Sequence, residues 1–567
     1  MGFSFRVEGL RLTDGTVVNP PADGLTVFIG PNNSGKSVLL RELATLVSSY
    51  PGVLNNRRWV AEVDIKNEGS AAEFLEWLHE RGTRPTVHPD HGHVLYPGEG
   101  DNRIMKDQVV NSWNGRGFGH IARFLVAQQW TQDRLLNQSD SQQWDFDFPP
   151  SHPTQYLFDD LGAHKAFSAL VQEAFGEPVA IDRYQQQIRL QVGDPGMDDT
   201  KPPASPKLRA AYRKLATVNE QGDGFRSFVN LLLHTLVRPR PVIVIDEPEA
   251  FLHPPQAQLL GRYLAERAPS PCQILVATHS ADFLRGVLEV NSKPVSLVRI
   301  ARTGDVPKAR VLEPAAVTDI LRTPALRYSN IISGLFHDGA VLGESEGDCQ
   351  FYAATFDVLR KDKPNDNLAF LHTSGKAKLA DTAQRLRDCG IPTAVIADLD
   401  LLNNRHLLRR VLQRLGGNFA DIEPDVEILE QTVSSTVTEL SAQEIKKKIS
   451  IILGDPLKGA ALTDDQSKQI KDLLKSSSGW RHLKQSGLNA LGGSDAYAAT
   501  ERLLEYFAER GVFLVPVGEL EGWVPKVPSG NKSAWLSKVF EEEHHRSPTA
   551  ELTSLCEKVS AYLASGR

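Results

Sequence analysis

The residues that could do chemistry fall into two groups. The first opens at Gly30-Pro31-Asn32-Asn33-Ser34-Gly35-Lys36-Ser37, which matches GxxxxGK[ST] at each fixed position. Glycines in such a loop let main-chain N–H groups wrap phosphate oxygens, and the helix that follows adds a favourable dipole. Lys36 is expected to meet the β- and γ-oxygens of ATP, and Ser37 to hold Mg2+. The apolar run Val242-Ile243-Val244-Ile245 delivers the partner acids Asp246 and Glu247. Asp246 is expected to reach Mg2+ through its water shell, and Glu247 to orient and polarise the attacking water. His279, just beyond the run Ile274-Leu275-Val276-Ala277, is expected within reach of a γ-phosphate. A lone histidine is ordinarily structural; its surroundings give this one a role.

The second group is carboxylate only. Glu344, Glu346 and Asp348 follow the run Ala340-Val341-Leu342-Gly343, and Asp398 and Asp400 follow Thr393-Ala394-Val395-Ile396-Ala397. Side chains two apart on a strand share a side, and ligands gather beyond the carboxyl ends of parallel strands, so Glu344, Asp398 and Asp400 are predicted to converge. Clustered carboxylates repel unless a cation sits between them. Oxygen-only donors select Mg2+ or Mn2+ over zinc. Acids capping strand ends at the surface would be the plain alternative, and their recurrence after three predicted strands speaks against it.

These groups need elements to carry them. Leu25–Ile29 reads as a strand, followed by the glycine loop and a helix from Ser37 to Ser48. Strands at Pro241–Ile245 and Gln273–Ala277, with a helix between them starting near Pro254, fit a parallel crossover pair. A further strand is predicted at Val295–Ile300, a polar stretch and a helix before Gly339, and a domain boundary near residue 325. A second α/β set then starts: strand Ala340–Gly343, helix Asp348–Leu359, strand Thr393–Ala397, a helical insertion over about 402–508, and strand Val512–Val517. Residues from about 60 to 217 read as mixed α/β with helical insertions and a Pro-, Asp- and Ser-rich loop at Asp198–Lys207. The fold class is therefore α/β, with domains over 1–325 and 326–567.

A chain of 567 residues is long enough for two or three cores. No stretch approaches the roughly 20 apolar residues of a membrane span. The first residues show no export signal, which predicts a cytoplasmic protein. Four well-separated cysteines, Cys272, Cys349, Cys389 and Cys556, argue against a zinc ribbon or a disulfide framework and suggest buried thiols. A net charge of −7 gives no global attraction to nucleic acid, so any basic surface must be local. Lys446-Lys447-Lys448 and Arg405, Arg409, Arg410 and Arg414 are candidates, although such runs are more often a solvated helix face.

The first group resembles the ABC-type ATPases of the DNA-repair and SMC group. Glu220-Gln221-Gly222-Asp223-Gly224-Phe225-Arg226-Ser227 is similar to a degenerate signature loop, although the usual Ser-Gly-Gly-Gln is absent, and Gln128 or Gln129 corresponds to the lid glutamine. In that group the signature loop touches nucleotide on an opposing subunit, which implies a homodimer or higher oligomer. The second group resembles a TOPRIM domain, except that glycine commonly follows the glutamate, whereas here Gly343 precedes Glu344 and Ser345 follows it.

The order ATPase then TOPRIM resembles the OLD (overcoming lysogenization defect) nucleases, which include the nuclease of the Gabija phage-defence system. Phe251-Leu252-His253-Pro254, Ser374-Gly375-Lys376 and Val517-Gly518-Glu519-Leu520-Glu521 carry the likeness further. The resemblance implies that Asp348 and Glu521 serve a second metal. It also implies that a late lysine, Lys532 with Lys526 and Lys538 as alternatives, contacts the scissile phosphate. The expected function is a nucleotide-gated DNA endonuclease or nickase in phage defence, using two cations about 3.5–4 Å apart and paired with a helicase or reverse-transcriptase partner. The other reading is an ATP-switched DNA-binding or assembly protein whose TOPRIM domain is a platform. A topoisomerase would need a tyrosine nucleophile on a DNA-gating domain, and many primases carry a zinc module; neither is visible.

Overall fold

The computed structural model describes all residues except 1, 49–56, 89–91, 97–102, 116, 137–138, 198–202, 291, 305, 314–316, 318–329, 362–366, 374, 436–441, 455–460, 476–478, 529–530 and 567. The boundary expected near residue 325, Ser374 and the start of the Asp198–Lys207 loop lie outside the described residues. Contacts divide the chain into two units, Met1–Leu321 and Arg322–Arg567.

The first unit is built on β1 (Ser4–Leu12), β2 (Gly24–Ile29), β3 (Val60–Glu68), β4 (Val126–Gln129), β5 (Val242–Asp246), β6 (Gln273–Thr278), β7 (Val295–Thr303) and β8 (Val306–Leu312). Six of these form one sheet in the order β8-β7-β2-β6-β5-β4. Its neighbours run parallel except β7 and β8. Every residue of β2, β5 and β6 is buried, which is why these strands read as unbroken apolar runs rather than alternating ones. Helix α1 (Lys36–Ser48) lays Leu39, Leu40, Leu43 and Val47 into a core shared with Phe28, Val244 and Leu275. The alternating β3 pairs antiparallel with β1 in a smaller sheet, and neither strand was expected. The buried Gln273 side chain ties the sheets together, accepting from Val7 N and donating to Val7 O, each at 2.9 Å. Because β2, β5 and β6 are parallel, the glycine loop, Asp246 and His279 all emerge at one edge. Helix α2 (Asp223–Leu232) begins within the signature-like segment, and α3 (Pro254–Arg267) follows the acidic strand.

In the second unit, β9 (Gly339–Gly343), β10 (Leu368–His372), β11 (Thr393–Ala397) and β12 (Val512–Leu514) form a parallel sheet in the order β10-β9-β11-β12. Helices α4 (Glu346–Leu359) and α5 (Leu379–Asp388) link the first three strands. The expected insertion comprises α6 (Arg405–Leu415), α7 (Glu423–Ser435), α8 (Ala442–Leu453), α9 (Asp464–Lys475), α10 (Gly479–Ser486) and α11 (Asp495–Ala508). After β12 the chain closes with α12 (Lys532–Glu541) and α13 (Ala550–Ser565), whose Trp535, Leu552 and Val559 share a core with Val341 and Ile396.

Three details differ from expectation. Strand β12 stops at Leu514 instead of Val517, since Pro516 has no N–H and Gly518 N turns back to Val515 O at 2.9 Å. The short edge strand β10 was not foreseen. Asp398 and Asp400 do not alternate along a strand: β11 ends at Ala397, and Asp398 precedes a 3-10 turn over Leu399–Asn403. A turn, with its own periodicity, therefore sets their relation. The four cysteines are buried and form no disulfide, and among the described residues no helix is long and apolar enough to cross a membrane.

Candidate functional site

The glycine loop sits between β2 and α1. Gly35 has φ +98°, and a Cβ there would lie 2.2 Å from the Trp59 indole nitrogen, so only glycine fits. Asn33 also adopts positive φ, at 61°. The buried Lys36 folds over the loop, donating to Gly30 O (2.9 Å), Pro31 O (2.7 Å) and Ser34 Oγ (3.4 Å). Burial pushes the Lys36 ammonium down to about 8, against the pull of Glu247, Glu249 and Asp246. Ser37 Oγ donates to Asp246 Oδ1 at 2.8 Å, which places the two expected Mg2+-side groups together. Burial raises the Asp246 carboxyl. Gly30, Ser34, Lys36, Ser37 and Asp246 are thus one constellation, with Asn32 exposed in the same loop. An ammonium, a hydroxyl and a carboxylate facing a main-chain loop fit a phosphate chain with a hard cation.

Glu247 takes φ +48°, a strained setting for a side chain with a Cβ. Arg134 holds it there. This fully buried guanidinium donates to Asp246 O (2.8 Å), Glu247 O (2.7 Å), Gln129 O (3.2 Å) and Ser227 Oγ (3.1 Å). It therefore ties the end of β5 to β4 and to helix α2, joining the acids, strand β4 and the signature-like segment. No motif marked Arg134 in the sequence; its role exists only once three distant segments meet. His279 Nδ1 lies 3.3 Å from Glu247 Oε1 and 3.4 Å from Glu249 Oε1. Its hydrogen bond to Glu247 raises the imidazole, and the same bond holds the Glu247 carboxyl low. Glu249 also accepts from Thr278 Oγ1 at 2.7 Å and His279 N at 3.0 Å. Gln129 is buried on β4, while Gln128 is exposed and accepts from Trp130 Nε1 at 3.2 Å.

In the second unit, Glu344, Asp398 and Asp400 each bring a carboxylate oxygen within 4.8 Å of the others. Gly343 permits this: a Cβ would lie 3.1 Å from both Asp348 Cβ and Cys349 Sγ, so α4 starts hard against β9. Ser345 caps α4 in a reciprocal box with Asp348, which explains a serine after the glutamate. Burial, then the neighbouring Asp398, pushes Glu344 up to about 7. Burial also raises Asp398. Burial would raise Asp400 as well, but Lys376 at 2.6 Å and Lys484 overcome it and hold that carboxyl low. Lys484 Nζ bridges Asp398 and Asp400 at 3.1 Å each and lies 3.7 Å from Glu519. It comes from α10, inside the helical insertion, and nothing in its local sequence distinguishes it. Three close carboxylates with oxygen donors fit a hard divalent cation.

Asp348 stands beside this triad rather than in it. Its Oδ2 accepts from Ser345 N and Oγ at 2.8 Å each, and its Oδ1 pairs with Lys532 at 2.7 Å. Of the three late lysines, Lys532 is the one beside an acid of this site, whereas Lys538 lies 3.5 Å from Glu542 on its own helix. Burial, then the neighbouring Glu521, raises Glu519, while against burial Asp348 foremost, with Asp398 and Glu521 behind it, raises Lys532. Among the insertion's basic residues, Arg405 pairs with Glu430 (2.7 Å), Glu423 (3.5 Å) and Glu427 (3.7 Å), Arg409 with Glu423 (3.6 Å), and Arg410 and Arg414 with Asp381. These arginines are already neutralised, while Lys446, Lys447 and Lys448 are exposed on α8.

Residues 130–285 match a family model for an AAA domain of the AbiEii, Type IV TA system kind. Residues 335–400 match the overcoming lysogenization defect protein-like TOPRIM domain, which takes in Glu344, Asp348, Asp398 and Asp400. An ATPase-type match followed by an OLD-like TOPRIM match makes the chain similar to the OLD nucleases. It is 24% identical over 170 residues to the Old nuclease of Escherichia phage P2, a match covering 29% of this chain and 28% of that protein. It is 28% identical over 215 residues to the OLD nuclease of Thermus scotoductus (strain ATCC 700910 / SA-01), covering 35% of this chain and 40% of that protein. The matched region is thus well under half the length of either OLD relative. Among solved structures, the SMC head domain from Thermotoga maritima is 12% identical with TM-score 0.28, covering 54% of this chain and 99% of that one. An SMC head with an extended coiled coil, bound to a Pyrococcus furiosus ScpA domain, gives 12% and 0.33, covering 56% and 98%.

Proposed function

We propose that this chain is a nucleotide-regulated, Mg2+-dependent DNA endonuclease or nickase acting in antiphage defence as a homodimer or higher oligomer. The observation that carries the reading is the convergence of Glu344, Asp398 and Asp400 within 4.8 Å at the carboxyl edge of a parallel sheet. In this reading the three acids hold the first divalent cation, with Mn2+ able to replace Mg2+, and Asp348 and Glu521 serve a second. Bound cations would activate water and steady the leaving oxygen. Lys532, released from Asp348, offsets charge gained on the phosphate. At the other site Lys36, Ser37 and Asp246 hold ATP and its cation, with Glu247 and His279 at the γ-phosphate end. The domain limits that follow are 1–325 for the ATPase and 326–567 for the TOPRIM part.

The test is nicking of supercoiled plasmid by the purified chain across Mg2+, Mn2+ and EDTA, each with ATP, ADP or no nucleotide. Cleavage that needs the metal and disappears in E344A and D398A, with ATP binding intact, supports the proposal; cleavage retained in both variants removes the site assignment. The three nucleotide arms show whether ATP drives or restrains cutting. One observation favours the other reading, an ATP-switched DNA-binding platform: Lys376 and Lys484 already compensate the acids with protein cations. Metal-independent DNA binding without cleavage under any of these conditions would select it.

A further inference from the structure

The ATPase unit contains a second concave site, apart from the glycine loop. A cavity of about 440 Å³ is lined by Arg81, Arg123, Arg238 and Arg240, and among the described residues no carboxylate lines it. Four guanidinium groups facing one space are conspicuous in a chain whose net charge is −7. Arg81 packs its guanidinium 4.3 Å over the Trp77 ring. Arg238 donates to Pro150 O and, at 3.1 Å, to Glu80 O. Arg240 donates to Val126 O at 3.0 Å. Main-chain carbonyls and ring faces orient these three groups without cancelling their charge, since none of the three forms an ion pair with a carboxylate among the described residues. Arg240 is exposed into the cavity although protein surrounds it. His152 and His234 line the same space.

Keeping these charges together is costly in the absence of a partner. Burial, then the neighbouring Arg238 and Arg240, pushes Arg81 down to about 10, and burial, then Arg123, does the same to Arg240. Arginine forks match phosphate oxygens bidentately and keep their charge when surrounded by protein, so Arg81, Arg238 and Arg240, which pair with no carboxylate among the described residues, are suited to an anion carrying several phosphates. The volume is that of a small-molecule site.

We propose that this cavity is a binding site for a small oligophosphate anion, the triphosphate chain of a nucleotide or a free phosphate chain, distinct from the nucleotide site at Lys36. The site abuts the nucleotide machinery: Ala127, Gln128 and Gln129 of β4 also line it, and Gln129 O is one of the four groups Arg134 grips. The inference does not rest on the nuclease reading, because every residue it uses lies in the first unit.

The test is calorimetric titration of the full-length K36A chain with inorganic tripolyphosphate and, separately, with ATP, at low and moderate salt. Binding is expected to persist in K36A, to weaken with salt, and to fall roughly tenfold or more in R123Q/R240Q, as loss of charge-assisted hydrogen bonds implies. Equal affinity for the two ligands identifies a free phosphate chain as sufficient, and tighter ATP identifies a nucleotide; both support the proposal. In the otherwise wild-type chain, R123Q/R240Q should leave one ATP site where two stood, which keeps the test valid should K36A misfold. No binding of either ligand to a folded K36A chain, or unchanged affinity in R123Q/R240Q, overturns it. So does loss of a dimer in R123Q/R240Q with tripolyphosphate affinity unaltered, which would assign the arginines to a protein interface.

Discussion

The two candidate sites hold their charges by different means. At the glycine loop, the two permanent cations rest mainly on main chain: Lys36 on the carbonyls of Gly30 and Pro31, Arg134 on those of Asp246, Glu247 and Gln129. At the carboxylate site, charge is set against charge: Lys376 and Lys484 on Asp400, Lys484 on Asp398, Lys532 on Asp348. Main-chain partners persist through any side-chain substitution, so the first site is prebuilt. Ion pairs can exchange one partner for another, so the second can hand its acids to an entering cation and its lysines to an entering phosphate. The comparison teaches that the first site is organised for holding and the second for exchange.

The largest expected effect separates the two. K36A should abolish ATP binding at the glycine loop, leaving only the binding at the arginine cavity, while keeping Mn2+ affinity at the triad within about twofold, because groups that share no partner act independently. D398A should do the reverse, losing Mn2+ binding with ATP affinity unchanged. Calorimetry with each ligand on each variant checks both, and a loss of both ligands in either variant would break the separation. Next in size is Arg134. Removing a buried guanidinium with four acceptors strands Asp246 O and Glu247 O, so R134M should cost on the order of 3–5 kcal/mol in denaturant unfolding of the first unit. A loss below about 1 kcal/mol would mean that the carbonyls find other donors.

This difference also explains what could be read from residues alone. Lys36, Ser37 and Asp246 were legible because a main-chain cradle demands glycines at fixed spacing and a buried parallel strand demands an unbroken apolar run, both local properties. Glu344, Asp398 and Asp400 were legible as strand-end acids, although the turn after Ala397 that joins the last two was not, because a 3-10 turn leaves no periodic trace. Arg134 and Lys484 were not legible. Each is one cation in a polar stretch, and the partners that give it a role lie far off in sequence, 93 positions for Ser227, 112 for Asp246 O and 86 for Asp398. Strands β1 and β3 were missed because their half-exposed pattern only becomes a strand when the partner is beside it.

Smaller effects sharpen the account of the exchanging site. With Glu344 raised to about 7 from an ordinary value of 4.5, the folded chain binds more protons than the unfolded one between those pH values. Stability in EDTA should therefore fall as pH rises from 4.5 through 7 and level off above it. E344Q removes the titration, so its advantage should be absent near pH 4.5 and reach on the order of 1–3 kcal/mol above pH 7. Thermal melts of both proteins across that range check the sign, and a variant less stable at high pH would contradict the burial of the carboxylate. K484M should act in the opposite sense without metal, since Asp398 and Asp400 lose a shared cation. The same variant should gain more stability on adding Mn2+ than wild type does, the entering ion no longer having to displace an ammonium.

The smallest effect belongs to the insertion's arginines. Arg405 faces three glutamates and Arg410 and Arg414 share Asp381, so their charge is spent within the protein. Such pairs are open to water and screened by it. R405Q should leave both stability and affinity for a DNA duplex within experimental scatter. Substituting exposed Lys446, Lys447 and Lys448 together should reduce the salt dependence of DNA binding if α8 meets the backbone. Fluorescence anisotropy over a salt series distinguishes the two faces. A lower slope for R405Q than for the triple lysine variant would show that the glutamates release Arg405 to DNA, and the ion pairs of the insertion would then be exchangeable in the same way as those around Asp398 and Asp400.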